Sequence, residues 1–92
     1  MIRVVYTKNR LTLRGHAGYA PRGQDIVCAA VSALVYALVA ALEEKGAVQE
    51  VQIRPGQVSV ASTEGCEAEF RMIRCGLAQL AARYPRCVHI EE

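Results

Sequence analysis

The chain has 92 residues, a length that suits one small domain spanning 1–92. Hydrophobic residues make up 52% of it, which excludes a disordered protein, and the formal net charge of +2 is too small to indicate a nucleic-acid partner by itself. The chain does not open with the basic segment, apolar core and small-residue cleavage site of a secretory signal. Its four cysteines are therefore interpreted as reduced thiols, and a cytoplasmic location is expected.

The first residues predict a β-hairpin followed by a loop. Ile2–Thr7 is rich in β-branched residues, Lys8–Arg10 is a polar turn, and Leu11–Arg14 alternates apolar and polar side chains. The next stretch, Gly15–Gln24, contains several glycines and a proline. That composition predicts a loop with conformational freedom.

A long helix is predicted after this loop. Asp25 is a favourable N-cap and Gly46 a favourable C-cap, so the helix should run from Ile26 to about Lys45. Its apolar residues occupy all sides, so either both faces are covered within one subunit or one face meets a partner. The apolar run Ile26–Leu42 lies at the short limit for crossing a bilayer and is flanked by acidic residues. A buried helix is favoured, and no membrane partner is expected.

A second hairpin is predicted next. Val48–Ile53 alternates aliphatic residues with polar ones, which is typical of a half-buried strand. Arg54–Gln57 has the composition of a turn, and Val58–Ser62 returns as the second strand.

The chain then predicts a second helix and a last strand. Thr63 is the expected N-cap, the helix should run to about Tyr84, and Pro85 ends it. One face of this helix carries Phe70, Ile73, Leu77 and Leu80. Cys87–Ile90 is a short terminal strand. The order ββαββαβ predicts a small two-layer α+β domain in which an antiparallel sheet packs against two helices.

The segment Gly15–Ser32, GHAGYAPRGQDIVCAAVS, favours thiol chemistry. Cys28 falls at the third helical position, where free N–H groups and the helix dipole favour a thiolate and can stabilise an oxyanion. The loop is long enough to bring the His16 imidazole back to the sulfur as a base. The spacing leaves the common alternative open: a cysteine at a helix start is usually a small buried apolar residue, and a lone loop histidine is usually solvated.

Two neighbours of this pair have candidate catalytic roles. Asp25 can cap the helix or orient His16 as the third member of a triad, and capping is favoured. Ser32 lies one turn beyond Cys28 on the same helical face, so its hydroxyl can hydrogen-bond within the site or to its own backbone.

The loop supplies the candidate substrate-binding residues. Glycine permits close approach of a peptide backbone and can act as a hinge, and Tyr19 can form an apolar wall. These candidates are Gly15, Gly18, Tyr19 and Gly23. The loop is expected to be mobile without a peptide and ordered with one.

No metal or other cofactor is expected. Cys66, Cys75 and Cys87 lack a close pair, so with His89 they make a poor zinc set, and core or inert thiols are favoured. The second helix carries Arg71, Arg74, Arg83 and Arg86 on or beside it. A solvated face is favoured over docking to RNA.

The segment closely resembles the signature of a known family. Gly15–Ala17, Gly23 and the run Asp25–Ser32, DIVCAAVS, are similar to the signature of the ribosomal-processing cysteine protease family, Prp, and the similarity extends to Gly76–Leu77 and Tyr84–Pro85. The resemblance implies a small α+β domain that forms a homodimer. It also implies a cytoplasmic bacterial thiol protease that removes a short N-terminal extension from one large-subunit ribosomal protein, cutting after an aromatic pair in an apolar peptide.

The same resemblance places the family's nucleophile on Cys28, its histidine base on His16 and its acidic residue on Asp25. Two other functions remain as alternatives. The first is a non-catalytic ribosome-associated module whose loop and arginines bind a basic protein or RNA. The second is a thiol redox switch, which the lack of a resolving cysteine near Cys28 supports poorly.

Overall fold

A computed structural model describes residues 1–91 of the chain. The predicted order of strands and helices is confirmed. The elements are β1 (Ile2–Thr7), β2 (Arg10–Arg14), α1 (Ile26–Glu44), β3 (Val48–Arg54), β4 (Gln57–Ser62), α2 (Glu67–Arg83) and β5 (Val88–Ile90). The two tight turns are shorter than predicted, because Arg10, Arg54 and Gln57 already pair within the strands.

The strands form one sheet in the order β3-β4-β2-β1-β5. Neighbouring strands are antiparallel except at one edge, where β5 lies parallel to β1. The predicted antiparallel sheet is confirmed, with the β1–β5 pair as a parallel exception at this edge. The chain reaches β5 through a helix rather than a tight turn, and a helical connection allows parallel pairing.

The core lies between one face of the sheet and the two helices. β1 alternates buried and exposed residues, with Ile2 and Val4 buried and Arg3 and Val5 exposed, so the opposite face of this strand meets solvent. The largest fully buried apolar side chains come from strands and helices alike. They are Leu11, Leu38, Leu42, Ile73, Leu77, Val4, Val27, Val60 and Val88.

Helix α1 covers the core with one face only. Its buried residues are Val27, Val31, Val35, Leu38 and Leu42. The opposite face is apolar but exposed, and carries Ile26, Ala29, Ala33, Tyr36, Ala37 and Ala40. By length and composition alone α1 is also apolar enough to cross a membrane, a test that core helices of soluble proteins pass equally well. Within one chain, the outer face of α1 has no cover among residues 1–91.

The start of α2 differs from the prediction. Thr63 is not its N-cap, because Cys66 holds that position and the helix begins at Glu67. The Thr63 N–H donates to the carbonyl of Ala47 at 2.9 Å, which ties this residue to the end of the preceding hairpin. Gly65, with a φ of +92°, then turns the chain into the helix.

The core position of Leu77 gives a stability test. Leu77→Ala should lower the free energy of unfolding by about 2–5 kcal/mol, because it removes apolar atoms from a closely packed interior and leaves a cavity. Met72→Ala is the matched control, since Met72 lies on the same helix but is 60% exposed, and it should change stability by no more than about 0.5 kcal/mol. Urea unfolding measures both. Equal losses in the two variants would contradict the packing of α2 described above.

Candidate active site

Cys28 lies at the start of α1 and is half-buried. Its sulfur accepts a hydrogen bond from the backbone N–H of Ala17, with 3.5 Å between nitrogen and Sγ. This contact joins the loop after His16 to the first turn of the helix. The sulfur therefore lies at the amino end of α1 with a backbone N–H donor aimed at it.

The sequence led us to expect free N–H groups in the first helical turn, but two of these groups are bonded. Those of Val27 and Cys28 both donate to Oδ1 of Asp25, at 3.0 and 2.9 Å. They are therefore occupied by the capping carboxylate. The donor beside the sulfur is the Ala17 N–H, which lies in the loop.

Asp25 joins two parts of the chain. Besides capping α1 through Oδ1, its Oδ2 accepts from the N–H of Tyr19 at 3.0 Å and of Ala20 at 3.4 Å. These bonds, that from Cys28 above all, hold the pKa of the Asp25 carboxyl below its usual range. The capping role is confirmed. No hydrogen bond links Asp25 to the His16 imidazole within residues 1–91, so the orienting role stays a prediction.

His16 lies two residues beyond the end of β2 and has an exposed side chain. The preceding residue is Gly15, whose N–H donates to the carbonyl of Gly56 at 2.9 Å, and the His16 carbonyl accepts from the Met1 α-amino group at 2.5 Å. The imidazole lies against Gly56, in the turn between β3 and β4. In the part of the chain that the structure describes, no hydrogen bond joins this imidazole to the Cys28 thiol.

One cavity contains both His16 and Cys28. Its volume is about 400 Å³, and Gly15 and Ser32 line it too. The remaining lining comes from β1, β2, α1 and the β3–β4 hairpin: Ile2, Leu13, Val31, Tyr36, Ile53, Arg54, Pro55, Gly56, Gln57 and Val58. A larger groove of about 880 Å³ on β1, α2 and β5 contains none of the predicted site residues. The thiol and the imidazole, rather than volume, make the smaller cavity the candidate site.

The other loop candidates lie outside this cavity. Tyr19 packs edge-on against Tyr84, with 5.5 Å between ring centroids, and so rests on the end of α2. Gly18 and Gly23 have φ values of +69° and +87°, and a side chain at either would meet nothing within 4 Å. These two glycines serve the turns of the loop, and the substrate-binding role of all three residues stays a prediction.

Sequence reasoning missed several cavity residues. Tyr36 had a readable signal, because it continues the stripe of Cys28 and Ser32 at four-residue spacing along α1. Gly56 and the Ala17 N–H had none, since each reaches the site only through tertiary pairing.

The remaining cysteines are separate from the site. Cys66 and Cys87 are buried, which agrees with core thiols, but Cys75 is exposed and so is not a core residue. Within residues 1–91, no group of three or more histidine, cysteine or acidic side chains is placed to hold a metal ion.

The family profile described as cysteine protease Prp matches residues 1–89. The chain belongs to the Prp family of cysteine proteases. It is therefore a peptide hydrolase whose class works through a thiol. Proteins named ribosomal processing cysteine protease Prp from Mycoplasma genitalium and Mycoplasma pneumoniae are 33% and 34% identical to it. Each alignment covers 100% of this chain, and 96% and 95% of the respective relative.

Solved structures agree with the Prp fold. The Staphylococcus aureus protease Prp with a covalently linked product peptide matches with a TM-score of 0.83 at 17% identity, over 98% of this chain and 95% of that one. A Streptococcus mutans protein matches with a TM-score of 0.74 at 29% identity, over 98% of this chain and 90% of that one. The two-layer α+β architecture is thus shared with these proteins.

The double contact of Asp25 predicts a pH-dependent stability. A carboxyl whose pKa is lowered by folding stabilises the native state at pH values above its pKa in the unfolded chain. That stabilisation is lost as the pH falls through its pKa in the folded protein. Asp25→Asn keeps one acceptor oxygen, so it cannot accept from both the helix and the loop. The variant should melt below the wild type at about pH 7, and the difference should shrink towards about pH 3.

Thermal unfolding followed by circular dichroism across this range measures the effect. Glu43→Gln is the matched control, because Glu43 is an exposed carboxylate at the other end of α1. A gap between wild type and Asp25→Asn that stays constant with pH would contradict a role for the Asp25 charge.

Proposed function

We propose that Cys28 is the nucleophile of this protease and that His16 is its general base. The observation that carries the proposal is the placement of Cys28 Sγ at the start of α1, beneath the Ala17 N–H and in one cavity with His16. In this account His16 takes the thiol proton while sulfur attacks the scissile carbonyl and a carbon–sulfur bond forms. The imidazolium then gives its proton to the departing amine as the carbon–nitrogen bond breaks. Water, deprotonated by His16, releases the acyl group and restores the thiol.

The imidazole has to approach the sulfur for this reaction. It is exposed, and hydrogen bonds of a catalytic pair are often long or unformed before substrate binds. A peptide in the cavity excludes water and favours the rotamer of His16 that faces Cys28.

The Ala17 N–H is the proposed oxyanion donor. Its nitrogen is 3.5 Å from Sγ, so a carbonyl carbon bonded to this sulfur would place its oxygen near the donor. The first-turn N–H groups of α1 hold the Asp25 carboxylate instead. In this proposal Asp25 acts by keeping helix and loop in register, and Ser32 lines the cavity without a proton-transfer step.

The proposed substrate is the N-terminal extension of a large-subunit ribosomal protein, cut after an aromatic pair within an apolar peptide. The Mycoplasma relatives are named ribosomal processing proteases, and Staphylococcus aureus Prp has been solved with a substrate peptide. The apolar lining of the cavity, with Tyr36, Ile53 and Val58, supports a peptide of this character. Such a substrate places the enzyme in the cytoplasm.

Replacing the thiol tests the proposal directly. Cys28→Ala should abolish cleavage of a synthetic peptide that spans such an extension, because it removes the proposed nucleophile and no second thiol lines the cavity in the part of the chain that the structure describes. Cys75→Ala is the matched control, since Cys75 is exposed and does not line the cavity, and it should retain full activity. Mass spectrometry of the products measures both.

Turnover by Cys28→Ala would contradict the assignment of the nucleophile. A wild-type protein that binds the peptide or RNA without cutting would favour the non-catalytic ribosome-associated module.

We also propose that the chain forms a homodimer through the outer face of α1. Beside the cavity, that face carries the exposed side chains of Ala29, Ala33 and Ala37 in the single chain. The neighbouring edge strand β3 adds exposed Val48 and Val51, which lie outside the cavity lining. A second copy would cover both surfaces at once.

A charge on this face should separate the subunits. Ala37→Glu puts a carboxylate on the outer face of α1, and burying it in an interface is unfavourable. Ala82→Glu places the same charge at an exposed alanine of α2 as a control. Sedimentation equilibrium should give twice the chain mass for the wild type and the control, and one chain mass for Ala37→Glu. A wild-type protein that stays monomeric at high concentration would contradict the proposal.

A further inference from the structure

The turn between β3 and β4 contacts the imidazole of His16. Its two central residues are Pro55 and Gly56, and Gly56 has a φ of +73°. Proline followed by a glycine of positive φ is the order that type II turns favour. The turn therefore has a local reason for its glycine, but its position in the fold adds a second one.

The second reason is contact with the imidazole. A Cβ added to Gly56 would lie 2.8 Å from His16 Nε2, 3.3 Å from Cε1 and 3.5 Å from Cδ2. The Nε2 edge of the ring is thus packed directly over the Gly56 Cα. A methyl group there would push the ring away, and the ring would give way because it is the free end of an exposed side chain.

The backbone next to His16 is tied to the turn. The Gly15 N–H donates to the Gly56 carbonyl at 2.9 Å, so the residue before His16 is bonded to the turn itself. Arg14 pairs with Gln57 across β2 and β4, and Arg54 pairs with the same Gln57 across β3 and β4. The surface that Gly56 offers to the ring therefore has a fixed place in the sheet.

We propose that Gly56 is a positioning residue for His16. Its bare Cα lets the ring lie directly against the turn, at the edge of the cavity that both residues line. This inference rests on the proposed role of His16 as the base for Cys28. Because the rate of proton transfer depends steeply on the positions of the donor and acceptor atoms, a displacement of about 1 Å can cost about 100-fold in rate.

The test compares two glycine variants that share the same backbone strain. Gly56→Ala places an alanine at a φ of +73°, and Gly46→Ala places one at +66°, where a Cβ meets nothing within 4 Å. Both should lower the melting temperature to a similar extent, since each holds an alanine at a positive φ that glycine adopts without strain. Only Gly56→Ala should lose activity, by about 10- to 100-fold in kcat with little change in KM, because it moves the base and leaves most of the peptide surface intact.

Equal kcat values for Gly56→Ala and Gly46→Ala would overturn the inference. If Gly56→Ala does not fold, nuclear Overhauser contacts in the wild type decide: contacts between the imidazole protons of His16 and the Hα protons of Gly56 support it, and their absence overturns it. Failure of the proposed function is distinguishable. If the proposed function fails, the wild type itself cleaves no peptide. If only the inference about Gly56 fails, the wild type cleaves the peptide and Gly56→Ala cleaves it equally well.

Discussion

The Asp25 carboxylate is the interaction on which the geometry of the site depends. One oxygen caps the first turn of α1, and the other accepts N–H groups from the loop at Tyr19 and Ala20. Charge-assisted bonds of this kind are stronger than neutral ones. They keep the start of the helix and the loop together, and with them the Cys28 sulfur and the Ala17 donor. Without this bridge, the hydrogen bond that remains between loop and helix within residues 1–91 is the weak one from the Ala17 N–H to the Cys28 sulfur.

The sheet holds the other half of the site. β2 ends at Arg14, and the chain then passes through Gly15, which is bonded to the β3–β4 turn, before it reaches His16. The proposed nucleophile is thus carried by a helix and the proposed base by the end of a strand. Rigid elements hold reactive groups more accurately than loops do. The loop between them supplies adaptable parts, an N–H donor and an aromatic ring resting on α2, and this division suits an enzyme that has to admit a peptide chain.

Local patterns predicted most of the fold, and tertiary pairing decided the rest. The alternation of apolar residues and the cap at Asp25 were sufficient for the strands and for α1. Thr63 has the chemistry of a cap but is bonded to the preceding hairpin, which no local pattern indicates. The parallel pairing of β5 likewise depends on how α2 packs on the core. At the site, type and spacing made the thiol and the imidazole candidates, while their catalytic roles came from the family resemblance and stay predictions. The Ala17 donor and Gly56 were not, because a backbone N–H and a glycine have no distinctive side chain and reach the site only through the fold.

The central claim is that Cys28 is activated by His16, and relative alkylation rates test it most directly. Exposure alone predicts that Cys75, which is exposed, reacts with iodoacetamide faster than half-buried Cys28. Mass spectrometry can follow both thiols in the same sample of folded protein, in the wild type and in His16→Ala. Activation predicts that Cys28 reacts faster than Cys75 in the wild type and loses that advantage in His16→Ala. A Cys28 that reacts no faster than Cys75, or that keeps its advantage without the imidazole, would contradict the account.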